Sequence, residues 1–299
     1  MLTVNGIIYK KEYNMKPILK YRGGKSKEIP SYIGLVPKYD IYYEPFFGGG
    51  ATYFYLEPES AFIGDINSHL INFYKEISGI NFDIIKKELY KLQIQYENNR
   101  KIYLNRKLLS SNERVDDPND KLYYRIRDMF NNKIKSEFNY ASIYYFINKT
   151  AYSGMIRFNS KGEFNVPYGR YANFNTALLD IKHHNLLSTA QIYHGSYEKS
   201  FNLAGPKDFI FLDPPYDTVF SDYGNEVFTG DFGEKEHRKL AADFRNLSAP
   251  SMMIISETPL IVELYKKYIK GIYPKLYSVN IRNRFKSKAN HLIITNYGV

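Results

Sequence analysis

The chain has 299 residues, 44% of them hydrophobic, which supplies a sizeable core and leaves no ground for a disordered chain. Forty-one Lys and Arg against 31 Asp and Glu give a formal charge of +10, which favours a polyanionic partner and leaves nucleic acid and anionic membrane both open. Cysteine is absent, so disulfides, cysteine-based zinc sites and a thiol nucleophile are all excluded.

No stretch approaches about 18 consecutive apolar residues, and the start MLTVNGIIYKKEYNMK lacks the apolar core and cleavage site of a signal peptide. Both features predict a soluble, intracellular protein with no membrane segment. The 30 Tyr, beside abundant Lys, Asn and Ile, fit an A/T-rich coding genome better than a base-stacking surface.

Near the start, KYRGGKSKE contains the Gly-Lys-Ser of a phosphate loop, but the Gly required five residues before Gly24 is Leu19, so the motif fails. Taken alone it reads as a basic surface turn before a helix. Residues 41–75 then have the texture of strand, Gly turn, helix and second strand. In SHLINFYKEI, Leu70, Ile71, Tyr74 and Ile77 share a helical face, with Asn67 or Ser68 as N-cap. From 76 to 150 long polar, Lys- and Tyr-rich segments read as helices separated by the loop SSNERVDDPND. The block NKTAYSGMIRFNSKGEFNVPYGRYANFN is dense in Gly, Asn and Pro, which predicts turns and a hairpin rather than core.

AQIYHGSY and DFIFLDPPY return to strands. EKEHRKLAADFRNL is an amphipathic helix with Leu240, Phe244 and Leu247 on one side, and SMMIIS reads as a buried strand. PLIVELYKKYIK reads as a helix, followed by a hairpin of YSVNIR and HLIITNY joined by the basic loop NRFKSKAN. Arg284, Lys286 and Lys288 there could touch phosphate or sit on a solvated tip. The six histidines lack metal-site spacing, and His183-His184 reads as a solvated loop, so no metal is expected.

Two segments carry chemistry. EPFFGGGA lies between strand and helix, where Gly48, Gly49 and Gly50 let the backbone approach a nucleoside ligand, and Asp65 ends the next strand, placed to accept both hydroxyls of a ribose. The second is Asp213-Pro214-Pro215-Tyr216. The Asp213 carboxylate and the Pro214 carbonyl, on a chain stiffened by proline, can take both protons of an exocyclic amine. Drawing out those protons frees the nitrogen lone pair for attack, and the carboxylate stabilises the positive charge that develops. Tyr216 supplies a face on which to stack the base. An Asx-Pro turn that merely closes a strand is the plainer alternative.

Together LKYRGGK, EPFFGGGA, GDIN, GEFNVPYGRY and LDPPY resemble, in order, the motifs of the Dam-like (D12 class, alpha-type) DNA adenine-N6 methyltransferases, from about residue 17 to the terminal ITNY. The resemblance implies a Rossmann-like α/β sheet formed by residues 1–75 and 189–299, a helical DNA target-recognition insert at 76–188, and S-adenosylmethionine as cofactor, leaving S-adenosylhomocysteine. It implies that the N6 amine of adenine in duplex DNA is methylated after the base is flipped out. Carried onto this chain, Tyr21, Lys25, Glu44, Asp65 and Asp213 would contact the cofactor, with Glu44 on its amino group. Asp213, Pro214, Pro215 and Tyr216 would form the catalytic site. Lys20, Arg157, Pro167, Arg170 and Tyr171 would meet DNA, with Arg157 placed to read a guanine. Lys149, Ser153 and Met155 depart from the pattern of GATC-modifying members, so a GATC-like recognition sequence stays open. The absent cysteine argues against cytosine C5 methylation, whereas cytosine's exocyclic amine, an RNA or protein amide, and a non-catalytic DNA-binding regulator remain as rivals. The resemblance also implies a cytoplasmic monomer of bacterial or phage origin, with a cognate restriction endonuclease as candidate partner.

Overall fold

A computed structural model describes residues 3–4, 7–8, 15–21, 23–110, 115–217, 232–276 and 288–298. In chain order, a two-residue ladder of β1 (Thr3–Val4) and β2 (Ile7–Ile8) precedes β3 (Tyr42–Glu44), α1 (Ala51–Leu56), β4 (Ala61–Asp65) and α2 (Ser68–Ser78). Three helices follow, α3 (Phe82–Leu109), α4 (Pro118–Phe130) and α5 (Tyr140–Thr150), before α6 (Ile181–Ser188) leads back to β5 (Ala190–His194). The remainder runs α7 (Glu198–Leu203), β6 (Phe209–Leu212), α8 (Glu234–Arg245), β7 (Ser251–Ser256), α9 (Pro259–Tyr265), β8 (Ile269–Leu276) and β9 (Lys288–Thr295).

Seven strands form one sheet of order β5-β4-β3-β6-β7-β9-β8. The first five are parallel, β9 runs antiparallel to β7, and β8 closes the edge antiparallel to β9. Strand order therefore reverses between β3 and β6, the kind of position at which open α/β sheets bind ligands beyond the carboxyl ends of their strands. The central strands β4, β6 and β7 are buried along their whole lengths, as a sheet covered on both faces requires. On one face Tyr42, Ile63, Phe209, Phe211, Met252 and Ile254 join a core that continues through α2 into α3, α4 and α5. On the other, Tyr43, Ile210, Leu212, Met253 and Ile255 pack with Leu240, Phe244, Ile261 and Tyr265 of α8 and α9.

Local chemistry sets the element ends. The Asn67 side chain accepts the Leu70 N–H at 3.1 Å and starts α2, whose Leu70, Ile71, Tyr74 and Ile77 are buried against the core. β6 stops at Leu212, where Pro214 and Pro215 remove two ladder donors. The first half of α3 buries Phe82, Ile85, Leu89, Leu92 and Tyr96 at helical spacing.

The structure corrects four sequence readings. His183 and His184 lie in α6, not in a solvated loop: His183 is buried with Nε2 at 2.9 Å from the Lys16 carbonyl, and His184 Nδ1 lies 2.8 Å from the Ile77 carbonyl. The Gly- and Asn-rich block does turn, but Phe158, Phe164, Val166, Tyr168 and Phe174 point inward and form part of the core. KYRGGKSKE does turn at the surface, with Lys20, Gly24, Ser26 and Lys27 exposed, but Lys25 points inward and is only 1% exposed. The terminal hairpin exists, yet its first strand is β8, beginning four residues after α9. YSVNIR and most of the basic loop, Arg284 and Lys286 included, lie outside the described residues, as does the side chain of Lys288.

Candidate active site

Three carboxyl groups stand at the ends of three neighbouring parallel strands: Asp65 ends β4, Glu44 ends β3 and Asp213 follows β6. Asp65 ties the Gly turn to its strand, its Oδ2 accepting the Gly48 N–H and its Oδ1 the Asn67 N–H, both at 2.9 Å. Tyr21 lies across that turn. A Cβ on Gly48, which has φ +48°, would fall 2.7 Å from Tyr21 Cε1, and one on Gly49 would fall 2.9 Å from Tyr21 Cβ. Glycine is what lets the ring approach.

Glu44 is 2% exposed, and its Oε2 accepts the Tyr42 hydroxyl at 2.7 Å. Burial pushes its carboxyl well above the usual range, and the charges of Asp213 and Asp65 push the same way. Burial also raises Asp65, against the N–H groups it accepts. A positively charged ligand group set against these carboxylates would relieve that cost, so the donor set fits a cofactor carrying an ammonium or a sulfonium.

At the β6 tip, Lys25 Nζ donates to Asp213 Oδ1 and to the Tyr216 hydroxyl, and it sits 4.9 Å from the Tyr216 ring centroid. The resemblance gives Lys25 to the cofactor; the structure places its ammonium on the Asp-Pro-Pro-Tyr segment. Burial raises the Asp213 pKa while Lys25 opposes the rise, and 22% of the Asp213 side chain still meets solvent. Tyr216 is 7% exposed, its ring met by Lys25, by Lys275 Nζ at 5.7 Å and by the His291 ring at 5.2 Å. In this arrangement the ring presents no open face to a stacked base.

Sequence reasoning missed the cluster beside this tip. Glu28 pairs through Oε1 with Lys275 Nζ at 2.7 Å and through Oε2 with His291 Nδ1 at 2.6 Å, and it accepts the Tyr273 hydroxyl at 2.8 Å. His291 Nε2 lies 3.2 Å from Ser256 Oγ. Burial alone would raise the Glu28 pKa, but the hydrogen bonds from His291 and Lys275 and the charge of Lys25 outweigh it and hold the group at about 2. Burial lowers the His291 pKa, against the pull of Glu28, and the ring turns Nδ1 to Glu28 and Nε2 to Ser256.

Among the residues assigned to DNA, Lys20 and Tyr171 come together, with Lys20 Nζ 3.8 Å from the ring centroid and 2.9 Å from the Lys149 carbonyl. Asn148 clamps the Lys20 backbone through two bonds of 2.8 Å. Pro167 is exposed and its carbonyl accepts the Tyr152 N–H at 2.9 Å. Arg170 has φ +52° and faces Asp120 at 3.8 Å. Arg157 is exposed on the Phe158–Phe164 hairpin, held by Asn165 Oδ1 at 3.0 Å from its Nε. Lys149 instead turns inward to the Ile18 carbonyl, and burial together with the nearby Lys20 charge lowers its pKa to about 8. No group of three His, Cys, Asp or Glu able to hold a metal occurs among the described residues, and no described helix is long and apolar enough to cross a membrane.

A sheet that runs 3-2-1-4-5-7-6 when only its own strands are counted, with a Gly turn and buried carboxylates at the switch point, defines a Rossmann-like nucleoside-binding α/β enzyme. The family model "D12 class N6 adenine-specific DNA methyltransferase" matches residues 21–281, and the chain belongs to that family. It is 31% identical over 291 residues to the type II methyltransferase M.CviBI of Paramecium bursaria Chlorella virus NC1A, covering 95% of this chain and all of that protein. It is 30% identical over 305 residues to the type II methyltransferase M1.LlaDCHI of Lactococcus lactis subsp. cremoris, covering 98% and 99%. To the DNA adenine methylase of Escherichia coli K12 it is 26% identical over 282 residues, covering 91% and 90%. The protein is thus a site-specific DNA methyltransferase acting on the N6 of adenine.

Proposed function

We propose that the strand-end carboxylates form a binding site for S-adenosylmethionine and that Asp213 holds the N6 amine of an adenine flipped out of duplex DNA. The cofactor supplies an electrophilic methyl on a sulfonium. Glu44 would hold its ammonium and Asp65 its ribose hydroxyls, with Tyr21 packed on the Gly turn. Asp213 Oδ2 accepts one proton of the target amine and the Pro214 carbonyl the other, while Lys25 anchors Asp213 through Oδ1. Positive charge developing on the attacking nitrogen would be stabilised by the adjacent Asp213 carboxylate.

Residues 76–188 act as the target-recognition part. Arg157 reads a guanine, Lys20 and Tyr171 meet the DNA beside the target, and Pro167 and Arg170 border them. To stack on the base, Tyr216 must turn from its buried position. Likeness to relatives named type II methyltransferases supports the modification role of a restriction-modification pair.

The observation that carries this reading is Asp213 at the β6 tip, with Glu44 and Asp65 on the next two strand ends. The test is Asp213→Ala, assayed for methyl transfer and for DNA and cofactor binding. Loss of transfer by about 10³-fold or more with DNA binding retained supports it. Retained turnover would remove Asp213 from the reaction.

A further inference from the structure

Two ammonium groups meet the Tyr216 ring, yet they are held differently. Lys25 bonds Asp213, whereas Lys275 is turned to Glu28 Oε1 at 2.7 Å. Tyr273 and Lys275 share one face of β8, and His291 stands opposite Tyr273 on β9, so three side chains of the edge hairpin converge on Glu28. Glu28 is 7% exposed, and its other charged neighbours are Lys25 and Asp213. A local surface ion pair would not recruit a buried histidine, a tyrosine and two lysines from opposite ends of the chain.

We propose that Glu28 is a positioning residue for methyl transfer: fixed by His291 and Tyr273, it holds Lys275 off Asp213, so that one carboxylate oxygen stays open to the target amine. A carboxylate bonded by one ammonium keeps its second oxygen as an acceptor; one bonded by two is a poor partner for a neutral amine. Lys275 meets the same Tyr216 ring as Lys25, the cation already bonded to Asp213, so the restraint has something to prevent. The inference rests on the reading of Asp213 as the amine acceptor.

The test compares Glu28→Gln, Lys275→Met and the double variant in single-turnover methyl transfer on DNA carrying the recognised site. E28Q should slow the step by about tenfold or more while affinities for S-adenosylmethionine and DNA stay within about twofold. Its acid limb should move to lower pH, because losing an anion and gaining a cation beside Asp213 both favour the ionised carboxylate. Adding K275M should restore the rate to within about threefold of the wild type, since the cation to be restrained is gone and joint removal of a buried ion pair is often close to neutral for the fold. Should E28Q not fold, the double variant decides: folded and active supports the proposal, whereas folded and slow, or unfolded, makes the cluster merely structural. A wild-type rate in E28Q overturns it. If D213A is dead and E28Q unaffected, this inference alone fails; if D213A turns over, the reading of the site fails with it.

Discussion

Glu44 and Asp213 are both carboxyl groups that burial pushes upward, and each yields a pH-dependent prediction. A carboxyl whose folded pKa is raised contributes stability below its unfolded value, and that contribution is lost as pH rises through the folded value; ionised Glu44 is then a cost. Glu44→Gln should therefore raise the melting temperature more at pH 8 than at pH 5, by about 2–4 °C per kcal/mol relieved, and abolish cofactor binding in calorimetry. Equal melting at both pH values would show that Glu44 carries no such cost. Asp213 must be ionised to accept the amine, so the acid limb of methyl transfer should lie above the ordinary Asp value of 3.8. Asp65 and Asp213 were legible as strand-end carboxylates because each stands beside a turn that the sequence announces, whereas Glu44 entered only through the family resemblance. Glu28 was not legible: it meets Tyr273, 245 residues away, and no local pattern encodes that distance.

At the scale of elements, periodicity served where burial is one-sided, as in α2 and α8, and turn chemistry served where backbone chemistry dominates, as at Asn67. It failed where tertiary context overrides a local signal. Gly271 and Pro274 argue against a strand, but β8 is an edge strand with a register shift between Ile269 and Gly271, a setting that tolerates both residues. In the Gly- and Asn-rich block from Asn148 to Asn175, Gly and Asn forecast turns correctly, while nothing local forecast that Phe158 and Phe164 would be buried together at 6.0 Å between ring centroids. Phe164→Ala should cost about 3–5 kcal/mol in chemical denaturation, and a cost near zero would mean that the hairpin is peripheral to the core. Arg157→Ala, which leaves that hairpin intact, should relax discrimination by about 1–3 kcal/mol at one base pair. A loss of affinity equal for all sequences would make Arg157 a phosphate contact instead.

For the whole molecule, composition pointed to a polyanion and the strand order to a nucleoside site, and the family assignment joins the two in one enzyme. Charge alone did not choose between nucleic acid and membrane; the family match did. With a formal charge of +10, DNA affinity should fall linearly in log–log form with salt, at a slope of about −0.9 per phosphate neutralised, and a slope near zero would mean that the basic surface is not used. The proposed role of the Asp213 tip is to direct a methyl to an extruded adenine. Its most direct test is to incubate the protein with unmethylated genomic DNA and S-adenosylmethionine, digest the product to nucleosides for mass spectrometry, and map the modified positions. N6-methyladenine at one short defined site is the predicted result, and methyl on cytosine, or on no base at all, would contradict it.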